Sequence, residues 1–296
     1  MKIGPIEIRW HRRREATPSP AATLAAVPTS APATTPAPPV PGQLHFTCNV
    51  CGTPVLATRE TLGRETPNCS GCGSTLRFRS IIALLGQALG RGDTPLPAWP
   101  ADQRIAGLGL SDWPGYASRL AMVCDYVNTH FHAHPRLDIC APPREWWGRF
   151  DFLLSSDVFE HVLPPVEAAF AGSYRLLKPG GVLVLTVPCI PEARTREHYP
   201  DAVGYRVETD GRVLLRRADG TEYPAAEPVF HGGPGATLEM RLFGAFDLQA
   251  GLEAAGFEAV RFHPEPYLAA GVVHEGPFSL PLTARKPLDA AAQASR

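Results

Sequence analysis

Residues 150–162 read FDFLLSSDVFEHV, and residues 176–188 read LLKPGGVLVLTVP. Phe152, Leu153 and Leu154 form a short apolar run that stops at Ser155, Ser156 and Asp157. A second apolar run, 182–187, is entered through Pro179, Gly180 and Gly181. Between them Phe159, Val162, Ala168, Phe170, Tyr174 and Leu177 recur at roughly helical spacing. Strand, helix, strand is the pattern of two parallel strands joined by a crossover. Ligands in such sheets bind beyond the carboxyl ends of the strands. Residues 155–161 are therefore expected at a ligand site.

The chain has 296 residues and a net charge of −1. That length accommodates one sizeable α/β domain and a small module. Near-neutral charge gives no overall attraction to nucleic acid or anionic membrane. Arginine supplies nearly all the positive charge, since the only lysines are Lys2, Lys178 and Lys286. No apolar run reaches the roughly 20 residues of a membrane span. The first twenty residues lack the apolar core of a signal peptide. A cytoplasmic location is the expectation. Residues 1–43 read as a tail and linker: no Lys, Arg, Asp or Glu occurs over 16–58, and Ala, Pro, Thr and Ser dominate 17–41. Such a segment buries too little apolar surface to offset its chain entropy and is expected to be disordered.

Residues 44–80 form the small module. Cys48 and Cys51, then Cys69 and Cys72, make two C-x-x-C turns, each followed by a glycine, Gly52 or Gly73. Two thiolates on one tight turn hold one edge of a zinc tetrahedron, and a second turn closes it. Glycine lets the backbone fold back toward the sulfurs. Four thiolates leave no open position, so the zinc ion expected here is structural. The ribbon and the helix after it carry Arg59, Arg64, Arg77, Arg79 and Arg91 against Glu60 and Glu65. That excess permits, without demanding, contact with nucleic acid. Residues 81–100 read as a connecting helix and loop; the helix spans 76–89, with Ile81, Ile82, Leu84, Leu85 and Leu89 apolar and Gly90 as its stop.

The main domain is read over 101–288. Its first strand, 104–110, runs into Gly107 and Gly109, where backbone can approach a ligand and a helix start offers free N–H groups. A second strand over 121–127 brings Asp125, eighteen residues after Gly107, into position for a ribose, with Asn128 beside it. Asp138, on a short strand or turn, faces a base or an amine. Residues 190–235 are an insertion rich in turns, with hairpin signals at Asp210-Gly211 and Asp219-Gly220. Polar residues flank it: His198, Tyr199 and Asp201 before, His231 after. It is read as a substrate lid. A helix over 246–255, strands over 259–262 and 278–284, and a loose tail over 289–296 complete the chain.

The order GLG, LDI, FDFLLSSDVFEHV and LLKPGGVLVLTVP resembles the class I S-adenosylmethionine-dependent methyltransferases, type 11 group, over about residues 104–262. A four-cysteine ribbon before such a domain is similar to a bacterial subgroup of these enzymes. The resemblance implies an α/β, Rossmann-like, seven-stranded methyltransferase sheet with a reversed last hairpin and a small N-terminal zinc ribbon. It implies S-adenosylmethionine as cofactor. Gly107 and Gly109 would lie near its methionine part, Asp125 or Asn128 near the ribose, Asp138 at the adenine edge, and Ser156 and Asp157 beneath the sulfonium. Glu160 and His161 would face the pocket. In place of a third glycine stand Leu110, Ser111 and Asp112.

Methyl transfer is an in-line displacement, in which the enzyme supplies alignment and, for a poorly nucleophilic acceptor, a base. His161 and His231 are the candidate catalytic residues, and Glu160, His198, Tyr199 and Asp201 the candidate substrate contacts. The expected reaction is O- or N-methylation of a small-molecule, sugar or lipid-intermediate acceptor. Two other readings stay open. One is an RNA methyltransferase, with Cys189 as a conceivable nucleophile. The other is a non-catalytic binding protein whose first loop no longer holds cofactor. Oligomeric state is not legible.

Overall fold

The computed structural model describes residues 42–231 and 237–288. The Pro/Ala-rich linker through residue 41, Gly232 and Gly233, and the tail from residue 289 lie outside the described residues. The chain opens with a hairpin, β1 (Gln43–Thr47) and β2 (Pro54–Thr58), followed by helix α1 (Leu76–Ala88). Next come β3 (Ala106–Leu110), α2 (Pro114–Val123), β4 (Asp125–Thr129), β5 (Phe150–Ser156), α3 (Glu167–Leu176) and β6 (Leu177–Thr186). The insertion supplies β7 (Cys189–Ile190), β8 (Arg196–Glu197), β9 (Gly204–Val207), β10 (Val213–Arg216), β11 (Glu222–Pro224), β12 (Phe230–His231) and β13 (Thr237–Leu238). β14 (Arg241–Gly244), α4 (Ala245–Ala254), β15 (Glu258–Phe262) and β16 (Leu282–Arg285) close the domain.

The main sheet has the order β15-β16-β6-β5-β3-β4. β3, β4, β5 and β6 are parallel, and β16 lies antiparallel between β6 and β15. This is the expected Rossmann-like methyltransferase sheet with a reversed last hairpin. It has six strands among the described residues rather than seven. Beside β4, Arg136 makes only a single bridge to His130, because the intervening residues turn back too soon to form a ladder.

Strand alternation splits the core between two faces. Phe152, Leu154, Val182 and Val184 face one layer, where they join Ile81, Ile82 and Leu85 of α1, Tyr116 and Leu120 of α2, and ribbon residues Cys48, Val50 and Val55. Leu153, Leu183 and Leu185 face the other, with Phe170 of α3 and Leu248 and Leu252 of α4. The ribbon and its helix are thus one layer of the domain, sharing a continuous core with it. The insertion strands β9 to β11 form a meander over a small core of their own, including Tyr199, Val213, Leu215 and Met240.

One buried cation ties the ribbon layer to the far end of the chain. Arg79 of α1 has 0% exposure. Its guanidinium donates to the carbonyls of Ala270 (2.7 Å), Gly271 (3.1 Å) and Ser74 (3.1 Å), and to Asn68 Oδ1. Gly271, at φ 62°, leaves room for the Phe46 ring beneath it. Arg79→Met keeps the volume and strands these acceptors. Hydrogen bonds to charged groups are worth about 1.5–3 kcal/mol each, so a loss of at least about 3 kcal/mol is expected in urea unfolding. An unchanged midpoint would show that the carbonyls find other donors.

Candidate active site

The parallel strands β3, β5 and β6 end on one edge, with Leu110 level with Ser155 and Ser156 level with Thr186. Just past that edge the backbone turns at two residues with left-handed φ, Ser111 (54°) and Asp157 (51°). A cavity of about 500 Å³ opens there. Its floor is Ser111, Trp113, Ser156, Asp157 and Pro188; Arg64, Glu65, Arg77 and Phe78 wall it from the ribbon side, and His231 from the insertion. The volume falls within the usual range for small-molecule sites, about 300–1,000 Å³.

Asp157 is the electrostatic centre of the floor. Arg64 donates to both its oxygens, at 2.7 and 2.9 Å, and Arg77 Nε stands 3.3 Å away. Thr186 donates a further bond at 3.0 Å. Burial by itself would raise its pKa; the two guanidinium groups overcome that and hold the carboxyl below its ordinary value. Arg77 also bonds Ser156 and Glu65. Phe78 stacks on Trp113, ring centres 4.6 Å apart. Three of the five arginines that in sequence permitted nucleic-acid contact are thus engaged inside the domain, Arg64 and Arg77 at Asp157 and Arg79 on buried carbonyls, while Arg59 is exposed.

The glycines of the first loop serve the protein's own packing. A side chain at Gly107 would strike the Phe152 ring, and one at Gly109 would strike Tyr126 and Asp112. Asp112 is buried and accepts hydrogen bonds from Tyr116 (2.7 Å) and Tyr126. Asn128 spends its amide on this loop, accepting from Asp112 N–H and donating to its carbonyl, each at 2.9 Å. Ser111 and Trp113 line the cavity in their place; the sequence marked Ser111 only as a replacement for the third glycine and did not mark Trp113.

Asp125 needs correcting as a ribose ligand. Helix α2 continues to Val123, so β4 begins at Asp125, which pairs with Ala106 at the amino end of the sheet. The cavity is at the opposite end. Asp138 is half-buried, and its Oδ1 accepts from the Cys140 N–H at 2.9 Å. Asp201 and Tyr199 are also moved from the site. Exposed Asp201 pairs with Arg217 and Tyr223 on the meander. Tyr199 is buried in the meander core with its hydroxyl on the Ala226 carbonyl at 3.3 Å. Cys189 is buried, which pushes its thiol up to about 11; that environment does not make a nucleophile.

Four of the other candidates converge. Glu160 and His161 lie on a short 3₁₀ turn after β5, and His231 ends β12. Glu160 has 0% exposure, and neither carboxylate oxygen has a hydrogen-bond partner among the described residues. His231 Nδ1 stands 3.4 Å and His161 Nε2 3.7 Å from its Oε1. These are charge contacts without hydrogen-bond geometry. His161 Nδ1 bonds the Leu238 carbonyl at 2.9 Å. Glu239, missed in the sequence, faces both His231 Nε2 and His198 Nε2 at 3.0 Å. Burial pushes Glu160 up to about 7. Burial lowers His161, while the neighbouring Glu160 carboxylate raises His231. Nothing in the sequence marks Glu239, because it lies 79 positions after Glu160 and only the folded chain brings it to His231 beside that carboxylate.

The ribbon cysteines also converge. The four sulfurs lie within 4.8 Å of one another, with Cys48–Cys72 at 3.8 Å and Cys51–Cys69 at 3.5 Å. A tetrahedron of Zn–S bonds of about 2.3 Å has edges of about 3.8 Å, so the four thiols fit such an ion.

Residues 138–185 match the family model described as a methyltransferase domain. Over that stretch the chain is similar to a methyltransferase domain. No curated protein sequence matches it. Similar solved structures include an S-adenosylmethionine-dependent methyltransferase from Mesorhizobium loti (17% identity, 64% of this chain and 95% of that one, TM-score 0.38). CalS10, an amino pentose methyltransferase from Micromonospora echinaspora, is 16% identical over 73% of this chain and 93% of its own, at TM-score 0.40. DesVI from Streptomyces venezuelae is 15% identical over 69% and 97%, at TM-score 0.38. Among the described residues, no helix is long and apolar enough to cross a membrane.

Burial pushes Asp112 up to about 7 from an ordinary 3.8. An acid raised on folding keeps its proton in the folded state after the unfolded chain has lost it. Stability from this group is therefore full below about 4 and declines as pH rises to about 7. A shift of that size corresponds to at most about 4 kcal/mol. Asp112→Asn removes the titration. Its stability relative to the parent is expected to improve between pH 5 and pH 8 in urea unfolding; parallel curves would refute the assignment.

Proposed function

We propose that this protein transfers a methyl group to a small-molecule, sugar or lipid-intermediate acceptor, at oxygen or nitrogen, inside the cavity over Asp157. The observation that carries the reading is the cavity itself. It lies beyond the carboxyl ends of the parallel strands, where such sheets bind ligands, and its volume suits a small molecule. Walls from the ribbon and the insertion enclose it, a shape that favours a small acceptor over a polymer.

The residues present fit S-adenosylmethionine at the sheet edge. Ser111, Trp113, Ser156 and Asp157 would hold it, and it would supply an electrophilic sulfonium methyl. Asp157 is kept ionised by Arg64 and Arg77, which hold both its oxygens, so it fixes the floor as part of a charge-balanced cluster. Gly107 and Gly109 contribute by admitting Phe152 and Tyr126 beneath the loop. The acceptor would enter beside His231. His231 lines the cavity, with His161, Glu160, Glu239 and His198 chained behind it, and an exchangeable acceptor proton would be handled there. The four ribbon thiols would hold one structural zinc ion, which fixes Arg64 and Arg77 by fixing the ribbon.

Titration calorimetry with S-adenosylhomocysteine is expected to show one site on the full chain. Ser156→Leu, which fills the floor, should weaken it at least tenfold with an unchanged circular dichroism spectrum. No binding at millimolar ligand would sink the reading. Zinc removal by a chelator and a thiol reagent should lower the melting temperature of the whole domain in a single transition, because the ribbon and sheet share one core. A separate low-temperature step for the ribbon would contradict that.

A further inference from the structure

Among the described residues, Glu160 is the buried carboxylate with both oxygens unpartnered. A buried carboxylate normally accepts two or more hydrogen bonds, and leaving it without them is costly. Here both oxygens lack partners among the described residues, yet two imidazole nitrogens stand at 3.4 and 3.7 Å from Oε1. What those nitrogens carry follows from their other contacts. The Leu238 carbonyl can only accept, so the proton of a neutral His161 is on Nδ1 and its Nε2 presents a lone pair to Glu160. Glu239 likewise faces His231 Nε2 at 3.0 Å, which leaves the Nδ1 of a neutral His231 turned to Glu160. Two lone pairs and a carboxylate oxygen then converge on one point. A single proton satisfies only one of the two pairs; a cation satisfies all three.

We propose that Glu160, His161 and His231 bind a divalent transition-metal ion through Glu160 Oε1, His161 Nε2 and His231 Nδ1. The three ligand atoms lie within 4.8 Å of one another. Ligands about 2.0–2.1 Å from a tetrahedral ion are separated by about 3.4 Å, close to the two measured contacts. Two imidazoles and one carboxylate suit zinc, cobalt or iron rather than magnesium or calcium. Each imidazole has the outer partner that metal-bound histidines have, a backbone carbonyl for His161 and a carboxylate for His231. The turn bearing Glu160 is held for the purpose. Met240 N–H donates to the Glu160 carbonyl at 2.7 Å, and fully buried Arg241 donates to the carbonyls of Phe159 (2.9 Å) and Val162 (2.6 Å).

Three protein ligands would leave a coordination position open, and His231, one of the three, lines the cavity. The ion would take an acceptor oxygen there, a hydroxyl or an enolic oxygen, and favour its deprotonated form. That role rests on the acceptor-cavity reading above. The metal site itself rests only on the side-chain geometry.

The test counts metal on the full chain. After incubation with zinc chloride and removal of loosely bound ion, elemental analysis is expected to give two zinc ions per wild-type chain. Glu160→Gln, which preserves shape, and His231→Ala, at a half-buried position, should each give one. Cobalt chloride titrated into protein with a zinc-filled ribbon should produce a visible d–d band that both variants lose. Glu239→Gln, altering only an outer partner, should weaken cobalt binding about 10–100-fold. One zinc ion in wild type, or a cobalt band indifferent to Glu160 and His231, would overturn the site and leave a shared proton as the bridge. Homocysteine-product binding is scored separately: metal without S-adenosylhomocysteine binding defeats the functional reading alone, and the converse defeats this inference alone.

Discussion

The geometry of the cavity depends on one ion cluster, the Asp157 carboxylate between the Arg64 and Arg77 guanidinium groups. Asp157 ends a strand of the main sheet; Arg64 comes from the ribbon and Arg77 from the helix that follows it. Fork-like pairing of a guanidinium with a carboxylate fixes distance and orientation together. The ribbon is thereby set against the sheet edge at the point where a ligand would lie. Removing one partner would leave a partly buried charge uncompensated, which is far more damaging than losing an exposed ion pair. The ribbon is too small for a core of its own and shares that of the domain.

A second buried cation organises the opposite wall. Arg241 joins β14 to the turn carrying Glu160 and, through Glu197 at 2.7 Å, to β8 of the insertion. The insertion is therefore anchored at its root while its meander extends away over its own core. His231, Leu238 and Glu239 approach Glu160 from this rooted part. The residues read as lid contacts divide accordingly: His198 and His231 belong to the root and meet the site, whereas Tyr199 and Asp201 serve the meander.

The fold was legible because it rests on local signals. Apolar runs with period two, a glycine-rich entry to β6 and two C-x-x-C turns are each readable within a few residues. The position of Asp157 at a strand end followed from the same pattern, and the cavity lies there. Asp125 was misread for a local reason too. The apolar stretch 121–123 fits a strand as well as the last turn of α2, and only the helix's packing on β4 decides between them. The glycine loop was misread more instructively. Gly107 and Gly109 looked like space reserved for a ligand, yet that space belongs to Phe152 and Tyr126, residues whose approach no spacing rule could reveal.

Residues 150–188 by themselves determined a parallel crossover with a polar mouth at Ser156 and Asp157, and the cysteine spacing determined a four-thiol cluster. Both are set by contacts among near neighbours in the chain. What closes the mouth was decided only by tertiary structure. Arg64 and Arg77 reach Asp157 across 93 and 80 positions, and His231 and Glu239 reach the Glu160 turn across 71 and 79. Charge pairing at such separations leaves no periodic trace. It arises from buried carboxylates that must find cations or donors wherever the packed chain brings them.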